Sequence, residues 1–219
     1  MRIRHKPYAR PMLEACPFFV GAPHAVRGRW HDQFDAIRPL HIELGCGRGE
    51  FIAQMAIANP HINYLAVDIK DEILLVAMQA VEAARHQVGL AVDNLRLAAF
   101  DIERINEVLA PEDRVERIYI SFPNPWPKPR HHKHRLVHAR QLAHYLVFLS
   151  GGGEIVFRTD NADLFEDGLG DLRTVGFDVI CETRDLLSSD YAAFPGSEHQ
   201  RMFAAQGIPI SFCIARLPR

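Results

Sequence analysis

Cysteine is scarce in this chain: Cys16, Cys46, Cys181 and Cys213 are the only four in 219 residues, and no two of them form a Cys-x-x-Cys pair. That spacing argues against a disulfide framework and against a zinc ribbon. No apolar run reaches the ~18 residues that span a bilayer. The opening Met1-Arg-Ile-Arg-His-Lys carries no hydrophobic stretch behind its charges, so no secretion signal is expected. An excess of one charge is also lacking. Lys and Arg number 25 against 27 Asp and Glu, a formal net charge of −2, which excludes a global basic field and leaves any nucleic-acid partner to local clustering. There is no repeat, low-complexity tract or Ser/Gly linker. The remaining composition, 48% hydrophobic and 24% charged, is that of a folded globular chain with its own core. A soluble, cytoplasmic protein is expected.

Residues 1–40 are irregular and basic, with Arg2, Arg4, Lys6, Arg10, Arg27, Arg29 and Arg38 against Glu14, Asp32 and Asp35. Prolines at 7, 11, 17, 23 and 39 oppose a long helix there. Beyond Pro39 the pattern becomes regular. Apolar strands are predicted at 41–46, 63–69, 95–101, 117–122, 154–160, 177–183 and 210–217, with helices at 50–58 and 71–87. Strands alternating with helices imply βαβ units and a mostly parallel sheet. The last two strands, joined by a short turn-like link over 196–209, are expected to pair antiparallel at one edge. This reading gives one α/β domain over 41–219 behind a basic extension over 1–40.

The strongest local signal is Glu43-Leu-Gly45-Cys-Gly47-Arg-Gly49-Glu50, a glycine-rich turn between strand and helix. Its blandest role is a tight turn needing positive φ. Its place after the first predicted strand, however, is where open α/β sheets bind ligands. Asp68 ends the next strand, where a carboxylate reaches ribose hydroxyls, and Asp101 ends the third, within reach of an adenine amino group. The dinucleotide fingerprint requires Gly or Ala at position 50, but Glu50 stands there. Glu43 and Glu50 would both repel a pyrophosphate. An acid-lined glycine loop suits a cationic nucleoside, and S-adenosylmethionine, with ribose, adenine and a sulfonium but no phosphate, fits better than a dinucleotide.

A second signal follows the fourth strand: Ser121-Phe-Pro-Asn-Pro-Trp-Pro-Lys-Pro-Arg-His-His-Lys-His-Arg135. Four prolines between 123 and 129 hold it extended. Lys128, Arg130, Lys133, Arg135 and Arg140 form a basic run, either a solvated face or, as its place at a strand's carboxyl end favours, a phosphate-facing surface. His134 and His138, at i and i+4 of an expected helix, invite a metal reading, but the cationic neighbours oppose it and no metal is expected. Trp126 reads either as a base-stacking platform or as a packing anchor.

With these residues placed, the chain resembles the tRNA (guanine-N7)-methyltransferases of the TrmB family. The marks are Glu43-Leu-Gly-Cys-Gly-Arg-Gly-Glu-Phe, Pro123-Asn-Pro-Trp-Pro-Lys-Pro-Arg-His and Arg158-Thr-Asp-Asn. The resemblance implies a class I S-adenosylmethionine-dependent methyltransferase fold, Rossmann-like, with a mostly parallel seven-stranded sheet and an antiparallel edge. It implies that Glu43, Gly45, Gly47, Asp68, Asp101 and Asn124 hold the cofactor, that Lys128 and Asp160 touch the guanosine or its neighbours, and that the target lies in the tRNA variable loop. Arg130, Lys133 and Arg135 would face the RNA. Two motifs depart from the family pattern. Asn124, the expected catalytic position, replaces an aspartate. The late Thr-x-Tyr-Glu substrate motif reads Ser197-Glu-His-Gln200. Two further readings therefore stand beside an active tRNA methyltransferase: a tRNA-binding relative with weak or no activity, and a methyltransferase with a shifted substrate.

Overall fold

The computed structural model describes residues 5–219, so Arg2 and Arg4 of the basic extension lie outside the described residues. The chain divides into two compact units, one ending at Asp113 and one beginning at Arg114.

The first unit contains α1 (Ala9–Glu14), β1 (Phe19–Val20), β2 (Leu40–Leu44), α2 (Glu50–Ala58), β3 (Asn63–Asp68), α3 (Asp71–Gln87) and β4 (Leu95–Ala99). Its strands are all parallel, in the order β1-β4-β3-β2. Every residue of β2 and β3 is buried, as expected of parallel strands covered on both faces. Helix α3 opens with Asp71 and Glu72 and closes with Arg85 and His86, which complements the helix dipole at both ends.

The stretch before β2 packs into this unit and spends its charges inside it. Arg10 Nε donates to Asp71 at 3.0 Å, and His5 Nδ1 lies 2.8 Å from Glu72. Arg27 and Arg29 donate to the carbonyls of Asn106 and Ala25, and Arg38 pairs with Asp93 at 3.3 Å. Trp30 is fully buried, its indole N–H donating to Val108 O at 2.7 Å. The buried Asp113 carboxylate accepts the amides of Gly28, Trp30 and Ala110.

The second unit contains β5 (Val115–Ser121), α4 (Ala139–Tyr145), β6 (Leu149–Thr159), α5 (Ala162–Val175), β7 (Asp178–Thr183), α6 (Glu198–Ala205) and β8 (Ser211–Arg216). Strands β5 and β6 are parallel, and β8 runs antiparallel to both β6 and β7. Glu154 on β6 ties the neighbouring strands together, accepting from Arg117 of β5 and, at 2.6 Å, from Arg216 of β8.

Three expectations are corrected. The described residues hold eight strands rather than seven, because two-residue β1 is too short for periodicity to reveal. The link over 196–209 is not turn-like but carries α6, whose N-terminus Ser197 caps. His134 and His138 do not share a helix: His134 ends a 3-10 turn over Pro129–His134, and His138 is the N-cap of α4. Among the described residues no helix is long and apolar enough to cross a membrane.

Candidate functional site

In the first unit, the glycine loop is pinned to the end of β3. The amides of Gly45 and Cys46 both donate to Val67 O at 2.9 Å, and Gly49 N closes onto Cys46 O at 3.0 Å. The three glycines have φ of +77°, +53° and +76°. Their surroundings differ. A Cβ on Gly49 would lie 2.8 Å from Cα and Cβ of Ala77, so this glycine lets α2 approach α3. A Cβ on Gly45 or Gly47 would meet nothing within 4 Å. The loop therefore leaves an open cradle at those two positions.

Two buried acids stand beside it. Glu43 lies in β2, and Asp68, 9% exposed, ends β3 and accepts the Lys70 amide at 3.1 Å. Burial raises the Asp68 carboxyl above its ordinary value, while the amides of Lys70, Ile69 and Gly47 oppose the shift. Burial also pushes the Cys46 thiol well up, and the charges of Glu43 and Asp68 push it further. The loop thus sits in a negative field, which fits a sulfonium nucleoside and does not fit a pyrophosphate. Asp101 caps the turn after β4, accepting Glu103 N at 3.0 Å, and is exposed.

In the second unit, the proline-rich segment leaves β5 through two left-handed non-glycine residues, Phe122 at φ +50° and Trp126 at φ +43°. Such residues are uncommon and gather at functional sites. Asn124 is exposed, and its Oδ1 accepts the Trp126 amide at 3.1 Å, closing an Asx turn. Lys128, Arg130 and Lys133 are exposed. Arg135 is not, which corrects its expected place on the RNA-facing surface. Its side chain is 6% exposed and donates to Asp167 at 2.6 Å and to Pro125 O at 2.8 Å, fastening the segment to α5. Pro125, Pro127, His132, Asn161, Asp163 and Glu166 help line a cleft of about 310 Å³ beside it.

Asp160 is exposed at the end of β6. Ser197 and Gln200 have structural duties: Ser197 Oγ accepts the Gln200 amide at 3.3 Å, and Gln200 Oε1 accepts from Arg158 at 2.9 Å. Arg158 is a residue whose role sequence reasoning missed. It is 1% exposed, donates to Ser121 Oγ at 2.9 Å and Pro195 O at 2.7 Å, and lies over the rings of Phe122 and Phe194. It joins β5, β6 and α6 beneath the segment. The available signal is an arginine directly after the apolar Ile155-Val-Phe157 stretch of β6. Among the described residues, no three His, Cys, Asp or Glu side chains converge as a metal site.

The family described as "Putative methyltransferase" matches residues 37–211. The chain is 48% identical over 217 residues to the tRNA (guanine-N(7)-)-methyltransferase of Clostridium perfringens strain 13, covering 99% of each. It is 48% identical over 215 residues to the enzyme of the same name from Clostridium beijerinckii, covering 98% of each. Among solved structures, the 16S rRNA methyltransferase KamB superposes with a TM-score of 0.61 at 12% identity, over 86% of this chain and 91% of that one, a likeness of fold alone. The glycine loop, the parallel strands and the antiparallel edge are accordingly those of a class I methyltransferase. With near-complete coverage at such identity, the chain belongs to the tRNA (guanine-N(7)-)-methyltransferase family.

Proposed function

We propose that this chain transfers the methyl group of S-adenosylmethionine to N7 of a guanosine in the tRNA variable loop, in the cytoplasm. The observation that carries the reading is that a chain of this family has, in its first unit, an open glycine cradle in a negative field; the cationic, proline-locked segment of the second unit supports it.

Guanine N7 bears a lone pair and no proton, so no general base is required before attack. The donor supplies a methyl group on a positively charged sulfur. The protein's work is positioning and charge. Glu43 and the open loop at Gly45 and Gly47 would receive the cationic amino-acid end. Asp68 would accept from the ribose hydroxyls, and Asp101 from the adenine amino group. Asp160 and Lys128 would hold the guanine and its neighbouring phosphate. Asn124 would present its amide near the purine as positive charge grows there.

Unmodified tRNA transcript incubated with the protein and S-adenosylmethionine, then digested and mapped by mass, tests the reading. N7-methylguanosine at one variable-loop position is the expected product. Methylation at another atom or nucleotide would transfer the reading to a shifted substrate. Tight tRNA binding with no methyl transfer would reduce the chain to a binding protein.

A further inference from the structure

Trp126 has no task in the methyl-transfer scheme, yet the segment is built around it. The chain has two tryptophans, and their settings are opposite. Trp30 is fully buried with its N–H satisfied by a backbone carbonyl. Trp126 is partly exposed, on a left-handed backbone that an aromatic residue rarely adopts, fixed by the Asn124 cap and by prolines on either side. Two imidazoles stand against the indole. His131 lies edge-on with ring centroids 5.7 Å apart, and His134 is tilted at 5.5 Å. The two histidines are themselves 6.3 Å apart, in a T-shaped arrangement. Lys128, Arg130 and Lys133 are exposed on the same segment, Arg130 Nε donates to His131 Nε2 at 3.2 Å, and no Asp or Glu occurs between Glu116 and Glu154.

A rigid aromatic ring set among cations and free of carboxylates along its own segment has the chemistry that binds single-stranded nucleic acid. Phosphates meet the charges, and one base lies on the ring. A paired base is already stacked within its helix, so the occupant is an unpaired one. We propose that Trp126, walled by His131 and His134, is the stacking platform for one unpaired base of the bound tRNA. It would act as a positioning residue that holds the strand in register. The proposal rests on tRNA being the substrate.

The test joins fluorescence to kinetics. Trp30 is buried, so quenching by added nucleic acid that is absent in Trp126→Phe reports Trp126. A single-stranded oligoadenosine should quench the wild-type signal, and an abasic ribose-phosphate strand of equal length should bind with the same salt dependence and leave it unchanged. Trp126→Leu should raise KM for tRNA about tenfold with little change in the single-turnover rate at saturation, and Trp126→Phe should recover most of the loss. Equal quenching by the abasic strand, or a wild-type KM in Trp126→Leu, overturns the proposal. The wild-type quenching comparison stands even if the leucine variant does not fold. A protein that methylates guanine N7 without base-dependent quenching loses the platform and keeps its reaction. Base-dependent quenching without methyl transfer keeps the platform and removes the reaction.

Discussion

Burial lifts the Asp68 carboxyl above its ordinary value, so the folded chain takes up that proton before the unfolded chain does. Stability therefore rises as pH falls through the raised value, and the charged form costs stability above it. Asp68→Asn removes the cost. Its ligand-free unfolding midpoint should exceed that of the wild type at pH 7, with the difference closing towards the unfolded carboxylate value of about 3.9. The same variant should lose S-adenosylmethionine binding by calorimetry, and unchanged affinity would take Asp68 out of the site. At position 124 the Asx turn makes a clean exchange possible, because aspartate can accept the same Trp126 amide. Asn124→Asp should then add charge without moving the backbone and raise single-turnover methyl transfer about fivefold, the yield of ~1 kcal/mol at an exposed position. Asn124→Ala should lower it by releasing the turn. A slower aspartate variant would mark the asparagine as adapted to its own substrate.

The loop before α2 separates two duties among glycines that look alike in the sequence. Gly49→Ala drives a methyl group into the backbone of α3 on a left-handed residue, so overpacking and backbone strain add, and it should destabilise the fold by about 2–5 kcal/mol, measured by urea unfolding at constant m. Gly47→Ala meets nothing there, so its cost is chiefly that of a left-handed alanine, about 1–2 kcal/mol. It should differ by losing cofactor binding in the protein that remains folded. Helices α2 and α3 are legible in the sequence because Gly49, Asn59-Pro60 and the acidic start at Asp71 punctuate them. By contrast α6 is hidden: Gly196 and Pro209 look like turn residues, and its capping Ser197 looks like a substrate ligand. Arg135 deceives for a related reason. Charge spacing along a segment does not tell which cation turns inward, and only packing against Asp167 of α5 distinguishes it from Lys133.

For the whole molecule, a net charge of −2 coexists with a long carboxylate-free stretch. Neutralising Lys128, Arg130 and Lys133 together should weaken tRNA binding and flatten its log–log salt dependence by roughly 0.7–0.9 for each phosphate left without its cation. An unchanged slope would make the run a solvated face. Arg135→Gln, in contrast, should register as lost stability. The strand order of the second unit also bears on how the chain is made. β8 lies between β6 and β7, and β7 borrows its antiparallel partner from residues made after it. The first unit has all four of its strands once Ala99 has been synthesised. The second cannot close its sheet until Arg216 has cleared the ribosome, and until then β6 and β7 wait with open edges. During vectorial synthesis the nascent chain therefore carries a finished glycine loop ahead of an unfinished second unit, and a ribosome stalled before Ser211 would hold a chain exposed to edge-to-edge aggregation.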